Sequence, residues 1–288
     1  MSATVVTFAS GEVHAESLVS AVHAHPEGAV VVVERTPFHP VDHTWPDQPG
    51  DAGSITSGAG SVNVVEAVMA AVSDEGAFAV GADIPVKRGA EGWTWLVGHR
   101  LDVAEPPAWL VEGAAVTLDV DEARRQGLSR GHTACHLASL ALDIAVADLW
   151  RKDPGADALG NPDFEGRANQ TSRIHEDGSV DEYRLGKSLR KAGFDTETFA
   201  ATLPERETRI NAQLAAWVAS GAASGIETDG PTIIDRRRWR CELPEGDAVM
   251  LCGGTHVYSL STFGSITVGL EMRDPQTLVM TTTVPPAP

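Results

Sequence analysis

Gly131-His132-Thr133-Ala134-Cys135-His136 and Leu251-Cys252-Gly253-Gly254-Thr255-His256 are the two stretches whose reading decides the rest of the chain. The first holds a His-x-x-x-His. On a helix, residues four apart lie on one face, so His132 and His136 aim both imidazoles at one point. The second holds a Cys-x-x-x-His around Gly253-Gly254, a pair suited to a tight turn that brings a thiolate and an imidazole together. Three imidazoles and one thiolate make a four-ligand set suited to zinc. Cys135 is rotated off the shared face and reads as a small core residue, and Cys241 as structural.

Working outward, a helix is expected over residues 132–150, with Gly131 just before it. Leu137, Leu140, Ala141, Ile144 and Ala147 form its apolar stripe, and Asp153-Pro154-Gly155 stops it. Upstream, residues 29–34 (Ala-Val-Val-Val-Val-Glu) are a continuous β-branched run fit for burial on both faces. Further strands are expected at 4–8, 78–82, 94–99 and 115–120, while 16–23 and 62–72 read as either strand or helix. Strands at this spacing point to a small barrel or sandwich. Four prolines between Pro37 and Pro49 force a loop, rich in Thr36, His39, Asp42, His43 and Gln48. Downstream, 151–181 reads as a long polar loop, 187–192 as a short helix and 196–220 as a longer one. Residues 236–243 read as an exposed basic strand, 249–252 as a strand entering the Gly-Gly turn, and 265–272 and 277–284 as closing strands. The fold class expected is α+β, with domains at 1–123 and 124–288.

Composition narrows the function classes. The chain has 288 residues, 42% hydrophobic and 22% charged, which is ordinary for a globular protein. No apolar run spans a bilayer, and the first ten residues do not read as a signal peptide. Three cysteines argue against a disulfide framework and for a reducing, cytoplasmic setting. The net charge of −18 argues against tight nonspecific binding to a phosphate backbone. The dense basic spots are 236–240 with Arg124, Arg125 and Arg130. They read equally as a charge-protected strand edge or as an RNA phosphate contact. The chain lacks a Walker-type loop and a Gly-x-Ser-x-Gly elbow, which disfavours a nucleotide-dependent enzyme and a serine hydrolase. Four protein ligands describe a closed zinc site, whereas catalysis usually keeps a position open. Expansion to five ligands, displacement of one ligand, or a purely positioning role for zinc all stay open. Asp143, seven residues after His136, reads as a solvated charge or as a group orienting a histidine.

The paired motifs resemble those of the alanyl-tRNA synthetase editing domain and its free-standing AlaX-type relatives. Glu34-Arg35-Thr36-Pro37-Phe38-His39-Pro40 is similar to the family's acidic-Arg-Thr-x-Phe-Tyr-Pro segment. Val97-Gly98-His99, Val120-Asp121 with Arg124-Arg125, and Glu205…Asn211 fit the same pattern. The family's Gly-Gly-Gln is replaced here by Val41-Asp42-His43-Thr44-Trp45-Pro46-Asp47-Gln48, so that Gln48 aligns only across extra residues. The resemblance implies a small N-terminal β-barrel followed by an α+β editing-type domain. It implies zinc on His132, His136, Cys252 and His256. It also implies hydrolysis of the ester between serine or glycine and the acceptor end of the tRNA for alanine. Thr36 and Gln48 are the expected contacts to the amino acid. Two other readings stand beside this one: a metal-dependent hydrolase of a small-molecule ester or amide, and a zinc-stapled binding module without activity. Oligomeric state is left open.

Overall fold

A computed structural model describes residues 1–285. It is a mixed α+β chain, mostly sheet, which divides into two units. The first comprises residues 1–125, 226–237 and 253–255, and the second takes the remainder.

The first unit holds β1 (Val5–Val6), β2 (His14–His23), β3 (Val30–Val33), β4 (Arg35–Thr36), β5 (Gly53–Ser57), β6 (Gly60–Ser73), β7 (Phe78–Val80), β8 (Trp93–Leu101) and β9 (Ala115–Val120). Among the described residues the large sheet runs β5-β9-β2-β3-β8-β6-β7, and β5 also pairs with β6, so the sheet closes into a ring. Register shifts at Val19/Ala21 in β2 and Val64/Glu66 in β6 mark the bulges that let long strands bend round the ring. The β-branched run behaves as its composition requires. Val31 and Val33 enter the main core with Phe8, Phe38, Ile55 and Leu118, while Val32 packs on the opposite side with Ala70 and Leu96.

The second unit is built on α1 (Glu122–Val146), of which residues 122–125 count with the first unit, followed by α2 (Glu165–Ala168), β10 (Asn169–His175), β11 (Gly178–Arg184), α3 (Lys187–Ala192), α4 (Thr196–Ala201) and α5 (Leu203–Ser220). After these come β12 (Ser224–Thr228) and β13 (Arg237–Leu243), of which residues 226–228 and 237 count with the first unit, then β14 (Gly246–Leu251), β15 (Thr267–Asp274) and β16 (Thr277–Thr283). Among the described residues these strands form a four-stranded sheet ordered β10-β11-β16-β15 and a three-stranded sheet ordered β12-β13-β14. Trp217, Trp239, Tyr183, Phe164 and Phe199 fill its core.

Four expectations are corrected. The long helix starts at Glu122, not at residue 132, capped by the Asp121 carboxylate, which accepts from Arg124 N–H at 3.1 Å. Gly131 therefore lies inside the helix. A Cβ there would stand 2.3 Å from the His175 carbonyl oxygen, so the glycine lets α1 lie against the β10–β11 turn, at about 1 kcal/mol of helix propensity. The segment 151–181 is not a loop, because α2, β10 and part of β11 lie in it. Its inward positions carry Ser172, Ser179 and Asp181, so no hydrophobic alternation advertised a strand. The helix expected over 196–220 is two helices, with Pro204 opening α5. Finally, β13 is not an exposed basic strand. Arg237, Trp239, Cys241 and Leu243 are all buried. Arg237 is tolerated there because its guanidinium donates to the carbonyls of Thr232, Ile233 and Asp235.

Candidate metal centre

Every residue of the four-ligand set lies in the second unit. α1 presents His132 and His136 one turn apart, with ring centroids 4.8 Å apart and planes inclined by 22°. β14 ends at Leu251 and delivers Cys252, and the chain returns at His256. One ligand atom from each of His132, His136, Cys252 and His256 lies within 4.8 Å of the others. The Cys252 sulfur is 3.5 Å from His132 Nε2, 3.4 Å from His136 Nε2 and 3.2 Å from His256 Nε2. A tetrahedron with zinc–sulfur near 2.3 Å and zinc–nitrogen near 2.0 Å has edges of roughly 3.5 Å. The donor chemistry and the spacing both fit that ion, and the cluster could hold a metal. Burial pushes His136 down to about 4, so its ring is neutral near pH 7, as a ligand must be. Cys252 and His136 are half-buried, whereas His132 and His256 are buried, so the cluster meets solvent on the Cys252 side.

Two supports went unread in the sequence. Thr133 Oγ1 lies 3.1 Å from His256 Nδ1 and accepts from Val257 N–H at 3.1 Å. With the hydroxyl at Nδ1, Nε2 is the nitrogen left facing the cluster, the usual way a ligand imidazole is held. The buried Trp239 indole stacks on His136, 5.1 Å between centroids and 18° between planes. Only the position of Thr133 between the two histidines hinted at its role. Cys135 is buried outside the cluster, its thiol 3.4 Å from the Asp181 carboxylate, and Cys241 is buried too. Asp143 is not a solvated charge. It is buried, accepts from Phe164 and Glu165 N–H at 2.9 Å each, and so opens α2, while burial pushes it up to about 9.

The residues expected to meet an amino acid lie in the first unit. Thr36 is fully buried. Its Oγ1 is 2.7 Å from His99 Nε2 and accepts from Phe38 N–H at 3.1 Å. His99 Nδ1 stands 3.0 Å from the Val31 carbonyl, which can only accept, so Nδ1 carries the ring proton and Nε2 takes the Thr36 hydroxyl. Burial pushes His99 down to about 4, in keeping with that neutral ring. Gln48 is buried in a separate network. Its Nε2 donates to Thr255 Oγ1 at 2.9 Å, its Oε1 accepts from Thr255 N–H at 3.0 Å, and His39 Nδ1 lies 3.4 Å away. The proline-rich loop is closed at its base by Asp51, which pairs with Arg125 and accepts from His39 N–H. Arg125 also donates to the Pro37 carbonyl at 2.7 Å. His39 and His43 stay outside the metal cluster.

No protein-family model matches the chain. It is similar to alanine–tRNA ligases. It is 26% identical to that of Ruegeria pomeroyi over 81% of the chain, 25% identical to that of Bifidobacterium longum over 84%, and 26% identical to that of Streptococcus thermophilus over 84%. The matches cover 22–23% of each ligase, so the chain spans less than a quarter of the relatives it matches. The resemblance read from the paired motifs is thereby borne out across most of the chain. Among the described residues no helix is long and apolar enough to cross a membrane.

Proposed function

We propose that the chain is a metal-dependent aminoacyl-ester hydrolase acting in trans, which removes serine or glycine from the acceptor end of the tRNA for alanine, with zinc as its metal. One observation carries the reading. Four ligand atoms of zinc-binding type converge in a chain similar over about four fifths of its length to one segment of alanine–tRNA ligases. His132, His136, Cys252 and His256 would hold the ion. Bound there, zinc supplies Lewis-acid polarisation of a carbonyl or a lowered water pKa. The chain's own residues do the rest. Thr133 and Trp239 hold the rings of His256 and His136 in place. The ring of strands is read as the small barrel that the resemblance implies.

Thr36 and Gln48 take different parts in this reading. Thr36 is proposed as a contact to the amino acid on the resemblance alone; with its proton committed to His99 and one lone pair taken by Phe38 N–H, its buried hydroxyl has only acceptance to offer. The Gln48 amide acts through Thr255, holding the segment between the two downstream ligands. The test is direct. Zinc-loaded protein is expected to hydrolyse Ser-tRNA(Ala) and Gly-tRNA(Ala) and to spare Ala-tRNA(Ala). Hydrolysis no faster than in buffer sinks the proposal.

The net charge of −18 favours a second reading, hydrolysis of a small neutral ester. Ionic strength separates the two. Activity on tRNA falls as salt rises, because phosphate contacts release counterions, whereas a small neutral substrate hardly responds.

A further inference from the structure

Two departures from the resembled motif touch each other. His39 stands where that motif carries a tyrosine, and Gln48 is reached across a longer loop. The backbone of His39 is held on both sides by Asp51, whose carboxylate accepts from the His39 N–H and whose own N–H donates to the His39 carbonyl at 2.9 Å. Phe8 meets the imidazole at right angles, 5.1 Å between centroids and 87° between planes. The ring is buried, and its Nδ1 faces the Gln48 amide nitrogen at 3.4 Å. A tyrosine ring has a C–H where that nitrogen stands, so the acceptor comes with the histidine.

The hydrogen bonds fix where the imidazole proton sits. The Thr255 N–H can only donate, so the Gln48 atom 3.0 Å from it is the amide oxygen. Gln48 Nε2 is then the atom that donates to Thr255 Oγ1 at 2.9 Å, and its second proton is directed at His39. An amide nitrogen cannot accept, so His39 Nδ1 does, and the ring proton is on Nε2. His99, buried in the same unit, is the opposite case, because the Val31 carbonyl 3.0 Å away holds a proton on its Nδ1. Burial pushes His39 down to about 4, in keeping with a neutral ring that has a lone pair to give.

We propose that His39 is a positioning residue: as the Nε2–H tautomer it takes the second amide proton of Gln48 and so keeps the carboxamide on Thr255, the residue before the ligand His256. This role rests on the zinc site of the deacylase reading above. Two measurements on the full, zinc-loaded chain test it. In nitrogen NMR spectra of protein with isotope-labelled histidine, the His39 signals are identified by their loss in His39→Asn. His39 is expected to show a protonated Nε2 and a bare Nδ1, and His99 the reverse. In competition with a chelator, His39→Phe, which keeps a ring but no acceptor, is expected to weaken zinc retention roughly 2- to 12-fold. His39→Asn, whose side-chain oxygen can stand in for Nδ1, is expected to keep most of it. Added to Gln48→Ala, His39→Phe is expected to cost nothing further, because it acts through that amide. A proton on His39 Nδ1, wild-type retention in His39→Phe, no rescue by His39→Asn, or additive losses in the double variant each overturn this role alone. A wild-type chain that takes up no zinc overturns the deacylase reading, and this role with it.

Discussion

Gln48 and Thr255 stand 207 positions apart in the chain and meet through two hydrogen bonds, the Gln48 amide donating to the Thr255 hydroxyl and accepting from the Thr255 N–H. Thr255 immediately precedes the ligand His256 in the sequence. Gln48→Ala leaves that buried N–H with a lost partner, at a cost of about 1–3 kcal/mol. Urea unfolding is expected to show this loss, with chelator competition showing weaker zinc retention. Wild-type values on both measurements would rule out the clamp.

Thr133 lies against His256 Nδ1. Partners of this kind typically contribute 10- to 100-fold to metal affinity. Thr133→Val should therefore release zinc to a competing chelator at about 10- to 100-fold lower chelator strength, and Thr133→Ser should restore retention. Cys252→Ala, which removes the one sulfur of the set, should drop zinc per chain well below one by elemental analysis. Full occupancy in that variant would end the four-ligand assignment.

His39 and His99 are buried rings, each pushed down to about 4 by burial. In the unfolded chain both return to about 6.5. Between those values the unfolded state binds more protons, so stability is present above about pH 6.5 and is lost as pH falls toward 4. The loss is at most on the order of 3 kcal/mol per ring. Urea midpoints between pH 4 and pH 7 should fall with acid, and His99→Gln should flatten the slope. A slope unchanged by that variant refutes the assignment of His99.

The core of the second unit, with Phe164, Tyr183, Phe199, Trp217 and Trp239 all fully buried, is large without any ion. Chelation should abolish hydrolysis while far-ultraviolet circular dichroism stays near its starting value. Collapse of the dichroism on metal removal would instead favour a structural staple.

Where the sequence was legible, the reason was periodicity. Four-residue spacing alone puts His132 and His136 on one face, and they share one. The valine run of β3 demanded two buried faces and has them. Residues 187–192 form α3 as expected. Where it was not legible, polar residues stood on inward positions. Ser172, Ser179 and Asp181 hid the β10–β11 hairpin, and Asp143 and Arg237 looked like surface charges while being buried. The partner atoms that let a polar group go inside, such as the Phe164 N–H or the Ile233 carbonyl, come from distant chain and leave no local trace.

By itself the sequence determined the chemistry available: a thiolate and three imidazoles at helix and turn spacing, an acidic body, and a proline-bound loop. Only the tertiary structure decided what meets what. Cys252 comes within 3.5 Å of a histidine 120 positions away, Thr133 lands on His256, and Gln48 lands on Thr255. Spacing is a local property of a helix or strand and survives in a string of letters. Contact between remote segments depends on how sheets and helices pack, and that is settled by burial and hydrogen-bond satisfaction over the whole unit.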